Sequence, residues 1–489
     1  MKRLIMTGLA CLMMLTLSAQ DDWKQRVQES KDDARRQYED FRNHAKKTYD
    51  DFRRNANEEY AQFMEKPWIS MDLHPFDTMP WGPKPPRPFF ADPDNQPVPS
   101  KDPIVFNLRP LPPKPLKQPE PVEPITPKPM QNVPLNTIYF YGTPMTFHFD
   151  DSSVPLLADV SEQSVADFWR VLSTDYYDNL VAECLQQRKD HNLCDWAYYL
   201  LTKELAEACF SASNESVVLH MYLLVQSGYQ TRIALAENKL CVLLASAENI
   251  YNYRYLCVDG ACYYVFDKEA SANYLTVFNH AFPKEKKMSL MMTQPKLAVE
   301  KTEPRTLASN RYPSVKATVV LNKNLIDFYN DYPLSSYWTY YSLASLSDMA
   351  KDSLYPVLRK AIQGKSQAEA ANILINFVQT AFDYATDQEQ FGYERPLFPD
   401  ESLFYPNCDC EDRSILFACL VRDLMDLDVV LLHYPRHLAT AVRFTDFIEG
   451  DYLMIDEKRY LICDPTYINA YIGWCMPFFT DTVPEVIRF

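Results

Sequence analysis

Hydrophobic and polar positions follow three different patterns in the first 134 residues. The first is an apolar run, Leu4 to Leu17, preceded by two basic residues and followed by the small residues Ser18 and Ala19. Such a run is too short to span a bilayer and is typical of a secretory signal peptide, which we predict over residues 1–19. Cys11 leaves lipidation as an alternative.

The second pattern, over residues 20–66, is a charged segment with a narrow stripe that repeats every eleven residues. The repeat is Y-x-x-F-x-x-x-A, and its members are Tyr38, Phe41, Ala45, Tyr49, Phe52, Ala56, Tyr60 and Phe63. This period corresponds to about 3.67 residues per turn, which predicts a long amphipathic helix. The stripe needs a partner surface. Three alternatives stay open: docking on the rest of the chain, self-association as a coiled-coil stalk, and a solvated helix packed on its own domain.

The third pattern, over residues 67–134, holds 21 of the 36 prolines. Proline fixes φ and lacks an N–H donor, so we expect neither helix nor sheet here. This composition predicts an extended, semi-rigid linker with polyproline II character. A ligand for a proline-binding domain is the alternative.

The rest of the chain carries one pattern twice. Residues 214–267 and 412–464 each read as a buried helix, a short strand, a second strand, and two strands joined by a tight turn. We therefore predict two copies of one α+β domain, over residues 135–300 and 301–489. In each copy, helices are expected to pack on an antiparallel sheet.

Composition and charge narrow the function. With 47% hydrophobic residues the chain can bury sizeable cores, and 65 acidic against 49 basic residues give a net charge of −16. Loss of the two basic residues of the signal peptide changes this to −18. Such an acidic chain without a basic patch is a poor candidate for nucleic-acid binding. No later segment is apolar enough to span a membrane, so we expect a secreted protein, periplasmic or on the cell surface.

Eleven of the twelve cysteines follow the signal peptide, between Cys184 and Cys475. An odd number in an oxidising compartment leaves at least one free thiol or an intermolecular bridge. Disulfide formation among the others stays open, because the spacing does not reveal the connectivity.

Three reactive residue types follow one another in the second copy. Cys410 stands at the start of the helix, where the N–H groups and the dipole stabilise a thiolate, although Glu411 and Asp412 oppose this effect. His437 begins the strand HLATAVRF, and Asp464 ends the strand RYLICD. A nucleophile, a base and an orienting acid are the parts that nucleophilic catalysis needs.

The segments DCED, HLATAV and DPTY, in this order and on these elements, resemble the transglutaminase-like superfamily. The resemblance covers residues 395–475 and implies a papain-like core. It makes Cys410 the nucleophile, His437 the general base and Asp464 the residue that orients the imidazole. It also implies a thioester intermediate, a peptide or protein substrate, water or an amine as acceptor, and no cofactor or metal.

The chain departs from that family in two places. The family often has an aromatic or glutamine side chain in the oxyanion hole, and the candidates here are Tyr405 and Asn407. The backbone N–H of Cys410 is a second candidate donor. His437 is followed by Leu-Ala rather than by a small residue and Trp, which predicts a different substrate groove.

Other interpretations of these residues stay open. Cys408 is more typical of a packing or bridging cysteine than of a nucleophile. A zinc site formed by Cys408, Cys410, His437 and Cys463 is conceivable but lacks paired Cys-x2-Cys spacing. His433 is an alternative base.

The first copy has Ala212, Leu240 and Asp267 at the positions aligned with the three reactive residues. We therefore predict that the second copy is a cysteine peptidase, amidase or acyltransferase and that the first copy is degenerate. The competing prediction is a non-catalytic envelope scaffold that binds peptides or protein partners through both copies. The N-terminal helix is a further candidate surface for a protein partner.

Overall fold

A computed structural model describes residues 2–78, 87–92, 104–106, 117–130, 132–150, 155–267, 273–336 and 338–489. The side chains of residues 2–22, 24, 25, 104 and 106 lie outside this description. The predicted lipidation at Cys11 falls among them, and cleavage after residue 19 stays a prediction. The predicted α+β class is confirmed, because a long N-terminal helix is followed by helices and two largely antiparallel sheets.

The elements are numbered in chain order. The helices are α1 (Lys2–Met64), α2 (Glu162–Leu172), α3 (Asp175–Asp190), α4 (Asp195–Phe210), α5 (Asn214–Gln226), α6 (Lys323–Asn330), α7 (Trp338–Leu343), α8 (Asp348–Ile362), α9 (Gln367–Thr380), α10 (Asp387–Gln390), α11 (Pro399–Phe404) and α12 (Cys410–Met425). The first strands are β1 (Ile69–Asp72), β2 (Phe89–Phe90), β3 (Ile104–Phe106), β4 (Leu135–Phe140), β5 (Thr143–His148), β6 (Thr231–Ala236), β7 (Lys239–Ala245), β8 (Arg254–Val258) and β9 (Ala261–Val265). The later strands are β10 (Tyr274–Phe278), β11 (Arg305–Ala308), β12 (Lys316–Val319), β13 (Asp428–Tyr434), β14 (His437–Arg443), β15 (Tyr452–Ile455), β16 (Lys458–Cys463), β17 (Tyr467–Ile468) and β18 (Glu485–Ile487).

Two six-stranded sheets organise the chain. The proximal sheet has the order β1-β10-β6-β7-β9-β8, and the distal sheet has the order β18-β13-β14-β16-β15-β3. All neighbours are antiparallel except β15 and β3. Four neighbouring strands of each sheet follow the same order, β6-β7-β9-β8 in the proximal sheet and β13-β14-β16-β15 in the distal sheet. Helix α5 packs on β6 and β7, and α12 packs on β13 and β14. The predicted series of one helix and four strands in each segment is therefore confirmed.

The end of α1 docks on the core. Ala56, Tyr60 and Met64 are buried, whereas Tyr38 and Phe41 are 64% and 71% exposed. Of the alternatives for the stripe, docking on the rest of the chain is therefore correct for its last third. The first repeat remains on the surface.

Residues 67–134 contain short strands, so the expectation that no sheet forms there was wrong. β1 extends the proximal sheet, β3 extends the distal sheet, and β2 pairs with β17. The sequences of these strands, ISMD, FF and IVF, contain no proline and keep their N–H donors. Short proline-free runs can pair at sheet edges, where only one side needs donors.

The last part of this proline-rich region is fixed through its carbonyl groups. Arg53 donates to the Pro124 oxygen at 2.7 Å, and Arg188 donates to the Pro119 oxygen at 2.9 Å. Proline lacks a donor but keeps a strong acceptor, so it can satisfy buried guanidinium groups. Residues 117–130 therefore lie on the proximal half.

Among the described residues, no helix combines the length and the apolar character needed to cross a bilayer.

Candidate functional site

Helix α12 begins at Cys410, and an acidic side chain of its first turn bonds back to the residue before it. The N-cap residue is Asp409, whose N–H donates to Asp412 Oδ2 at 3.3 Å. Asp412 Oδ1 accepts from the Leu397 N–H at 3.0 Å. One carboxylate thus joins the helix start to the segment before α11. The predicted cap at Asp409 is confirmed.

The turn before Cys410 is held by a buried guanidinium group. Arg413 is 1% exposed, and burial lowers the pKa of its side chain. It donates at 3.1 to 3.2 Å to four backbone carbonyl oxygens, those of Gln379, Phe382, Asp383 and Cys408. This arginine therefore fixes the path of the chain into α12.

The ladder between β14 and β16 brings His437 and Asp464 together. Thr440 pairs with Cys463, so Asp464 leaves β16 close to the residue that begins β14. The distance from His437 Nε2 to Asp464 Oδ2 is 2.8 Å. The two residues are only 6% and 2% exposed. Burial shields this hydrogen bond from water and strengthens its electrostatic part.

The carboxylate of Asp464 is held on both oxygens. Oδ2 contacts His437, while Oδ1 accepts from the N–H groups of Thr466 at 2.9 Å and Tyr467 at 3.2 Å. Gln379 donates to two backbone carbonyls of the same loop. The imidazole is therefore oriented through Nε2, and Nδ1 is the ring nitrogen that does not contact Asp464.

The first turn of α12 packs against the start of β14. Ser414 Oγ donates to the Leu438 carbonyl at 2.8 Å. Ser414 lies one turn beyond Cys410 on the same helix face, and Leu438 directly follows His437. Cys410 is 2% exposed. The start of α12, which carries Cys410, therefore packs against the start of β14, which carries His437. We call this buried region, with Asp464 beside His437, the distal corner.

Acidic side chains surround Cys410. Its thiol donates to Glu411 Oε2 at 3.1 Å, and Glu411 is fully buried. A neighbouring carboxylate opposes formation of a thiolate. Groups of three ligand atoms lying within 4.8 Å of one another are drawn from Asp387, Glu394, Asp409, Cys410, Glu411 and Asp412. Carboxylate oxygens of this kind suit hard divalent cations.

The thiols considered for a zinc site face backbone groups. Cys408 Sγ lies 3.4 Å from the Ser402 carbonyl oxygen, and Cys463 Sγ lies 3.5 Å from the Leu461 carbonyl oxygen. Both are buried, and burial raises the pKa of each thiol. These contacts fit the packing interpretation of Cys408.

The other candidates have partners outside the distal corner. The Tyr405 hydroxyl donates to Asn330 Oδ1 at 2.7 Å and accepts from Arg395 at 3.3 Å. Asn407 forms a backbone bridge with Asp383. The oxyanion roles of Tyr405 and Asn407 stay predictions. His433, the alternative base, has its Nδ1 3.2 Å from Glu485 Oε2, on the strand pair β13 and β18.

Aromatic rings cover the imidazole. The Phe479 ring is stacked on His437 with a centroid distance of 5.0 Å and an angle of 3°, and Tyr434 stacks on Phe479 at 4.6 Å. Sequence analysis missed Phe479 and Arg413. Phe479 carries no local signal, and Arg413 stands in the polar start CEDRS of α12, where an arginine is ordinary.

The described cysteines form one disulfide, between Cys257 and Cys262, across the turn that joins β8 and β9. Most of the free thiols are buried deeply enough that burial raises their pKa: Cys184, Cys194, Cys241, Cys408, Cys419, Cys463 and Cys475. These thiols are held in the protonated, unreactive form near neutral pH.

The proximal sheet has a corner of the same topology. Its helix begins at Asn214, and its second strand begins at Lys239 after a two-residue turn, as β14 does at His437. Asp267 follows β9 as Asp464 follows β16. The helix thus begins two residues after the aligned Ala212, and the strand begins one residue before the aligned Leu240. Asn214, Lys239 and Asp267 line a cleft of about 860 Å³.

Comparisons of this chain with protein-family models, with curated proteins and with solved structures find no match.

Proposed function

We propose that the chain is a transglutaminase-like cysteine enzyme that cleaves or transfers peptide amide groups through a thioester. The observation that carries this proposal is the 2.8 Å hydrogen bond between His437 and Asp464, buried against the helix that begins with Cys410. Such a bond orients the imidazole and stabilises the imidazolium that forms when the base takes a proton.

In the proposed reaction, His437 Nδ1 takes the proton of the Cys410 thiol, and the thiolate adds to the carbonyl carbon of an amide. Backbone N–H groups at the start of α12 stabilise the oxyanion. The C–N bond then breaks as His437 protonates the leaving amine, and a thioester remains on Cys410. Water or a second amine attacks the thioester and gives its proton to His437. The histidine returns this proton to the leaving thiolate, which releases an acid or a new amide.

We also propose that the two halves of the chain are copies of one papain-like domain. The shared order of the four neighbouring strands, each set with one packed helix, supports this duplication. The proximal copy has Asn214 and Lys239 where the distal copy has Cys410 and His437, so it would keep the fold without the chemistry. We also propose that the protein is secreted, a location that fits its disulfide between Cys257 and Cys262.

The test is alkylation of each cysteine by iodoacetamide over roughly pH 5 to 9, read by peptide mass mapping. We expect Cys410 to react fastest near neutral pH and His437→Ala to slow it by about tenfold or more. His433→Ala is the matched control, because His433 bonds to Glu485, and it should leave the rate unchanged. Phe479→Ala is included because it removes the ring stacked on His437, so that a covered thiol is not mistaken for an inactive one.

Two results would contradict the enzyme proposal. The first is that Cys410 reacts no faster than the other free thiols, in the native chain and in Phe479→Ala. The second is that His437→Ala and His433→Ala have the same effect on its rate.

A second candidate function is a non-catalytic scaffold that binds peptides or protein partners. The observation that favours it is the contrast between the two corners. The proximal corner opens into a cleft of about 860 Å³, whereas Cys410 and His437 are only 2% and 6% exposed. Uniformly slow thiols in the alkylation experiment would favour this candidate.

A further inference from the structure

A segment of the proline-rich region lies along the loop that follows Asp464. This segment, Arg87–Asp92 (RPFFAD), contains β2, which pairs in parallel with β17. Beyond the pair, the Ala91 N–H donates to the Ile468 carbonyl at 2.8 Å. β17 begins at Tyr467, whose own N–H is held by Asp464. These pairing contacts between the segment and the loop join main-chain atoms, and any extended peptide can make them.

Alternate side chains of the RPFFAD segment are treated differently, as expected for a strand. Phe89 is partly buried, with its ring 4.8 Å from that of Phe478, whereas Phe90 is 67% exposed. Ala91 is 4% exposed and packs in a small apolar cluster with Ala470, Trp474, Tyr467 and Tyr471. The edge therefore accommodates three successive residues of a peptide. The first is aromatic, the second can be any residue because its side chain faces solvent, and the third is small.

The same edge leads to the distal corner. Phe478, the contact of Phe89, is followed directly by Phe479, whose ring covers His437. Asp464, which precedes β17, is the partner of that histidine. A peptide that reaches the corner from this side must therefore take the place of the RPFFAD segment.

We propose that the edge of β17 is the peptide-binding edge of the distal corner and that the RPFFAD segment occupies it as an intramolecular competitor. The substrate class is then an extended peptide with an aromatic residue two positions before a small one. That such a peptide is a substrate rests on the proposed function, whereas its binding at the edge does not. A tethered competitor has a high effective concentration, so free peptides should bind the native chain weakly.

The test uses the hexapeptide Arg-Pro-Phe-Phe-Ala-Asp with a fluorescent label and measures its binding to the full chain by fluorescence anisotropy. We expect Phe89→Ser, which weakens the internal segment, to bind the peptide about tenfold more tightly than the native chain. Phe90→Ser is the matched control and should bind like the native chain, since that ring faces solvent. A hexapeptide with Leu in place of Ala should bind Phe89→Ser about tenfold less tightly, because the space that takes the Ala91 side chain is too small for leucine.

The proposal is overturned if Phe89→Ser and the native chain bind the peptide equally, or if the Leu peptide binds as well as the Ala peptide. A second arm repeats the alkylation of Cys410 in Phe89→Ser, where saturating peptide should slow the reaction. If the peptide binds but does not slow alkylation of Cys410, the edge does not lead to the distal corner and the proposal is overturned.

The two proposals fail in different ways. Adding Cys410→Ser to Phe89→Ser should leave the binding of the hexapeptide unchanged, because the edge contacts do not involve the thiol. If His437→Ala leaves alkylation unchanged while peptide binding persists, the enzymatic function is wrong and the edge remains a peptide-binding site. If peptide binding fails while alkylation depends on His437, only the edge proposal is wrong.

Discussion

At the residue scale, Cys410 lies between opposing influences. The start of α12 favours its thiolate, whereas the hydrogen bond that the thiol donates to Glu411 favours the protonated form. His437 is oriented by the hydrogen bond between its Nε2 and Asp464, and the proposed proton transfer uses the other ring nitrogen. The proposed reaction therefore requires the thiol proton to leave Glu411 and move to the imidazole.

A buried carboxyl group close to this helix provides a pH-dependent prediction. Asp400 is fully buried and accepts from both the N–H and the hydroxyl group of Ser347, the N-cap residue of α8. Burial raises the pKa of Asp400 to about 6 from its ordinary value of 3.8. Because the folded state holds the proton more tightly than the unfolded state, its contribution to stability is complete below pH 3.8 and is lost as the pH rises through about 6.

We expect Asp400→Asn to lose this pH-dependent contribution to the free energy of unfolding. The difference in unfolding free energy between the native chain and the variant should shrink by about 3 kcal/mol between about pH 4 and pH 7. Urea denaturation at both pH values measures it. Asp352→Asn, at an exposed position on α8, is the control and should show no such change. A constant difference across the pH range for Asp400→Asn would show that folding does not raise the pKa of this carboxyl group.

At the element scale, α1 shows how one repeat can have two environments. Its eleven-residue stripe is regular in sequence, yet Ala56 and Tyr60 are buried while Tyr38 and Phe41 are exposed. There Tyr60 packs against the rings of Trp169, Phe278 and Phe282 at 5.0 to 5.2 Å. Arg170 adds ion pairs to Glu58 and Glu65 of α1 at the edge of this contact.

We expect Tyr60→Ala to lower the unfolding free energy by about 3 to 5 kcal/mol, because it leaves a cavity among these rings. Tyr38→Ala removes the equivalent residue of the first repeat, which is 64% exposed, and should change stability by less than about 0.5 kcal/mol. Tyr60→Phe should cost nothing, because the buried hydroxyl has no hydrogen-bond partner. Urea denaturation of the three variants is the measurement. Equal losses for Tyr60→Ala and Tyr38→Ala would mean that both repeats are packed.

At the scale of the whole molecule, the two halves share contacts rather than lying apart. Tyr340 donates to Glu248 at 2.7 Å, and Trp196 donates to the Asp331 carbonyl at 3.0 Å. The proline-rich region adds strands to both sheets. It passes so close to the proximal half that a Cβ atom built on Gly228 would lie 2.0 Å from the Glu120 carbonyl oxygen.

This close approach gives a prediction with a matched control. Gly228 has φ of +91° and Gly260 has φ of +75°, so alanine is strained at both, but nothing lies within 4 Å of a Cβ at Gly260. We expect Gly260→Ala to cost about 1 to 2 kcal/mol from backbone strain alone. Gly228→Ala should cost more and should raise hydrogen exchange in residues 117–130, because that segment must move away. Identical behaviour of the two variants would contradict the close packing of this segment.

Local signals in the sequence were sufficient for several features. The α+β class, the helix and four strands of each half, and the start of α12 at Cys410 with its Asp409 cap could all be predicted. Each depends on hydrophobic period or on polar groups within a few residues, which interact in almost any fold. His437 and Asp464 are 27 residues apart, and their contact was expected from their places on two neighbouring strands and from the family resemblance.

The sequence by itself determined which segments are helices and strands and which residues could do chemistry, because these depend on neighbours along the chain. Tertiary structure decided the rest. Sheet register set the hydrogen bond to Asp464, the fold brought Phe479 over His437, and proline-free runs found sheet edges. The same cause explains why one repeat of α1 is buried and another is exposed. Contacts between distant segments depend on which surfaces the fold brings together, and this information is absent from any local pattern.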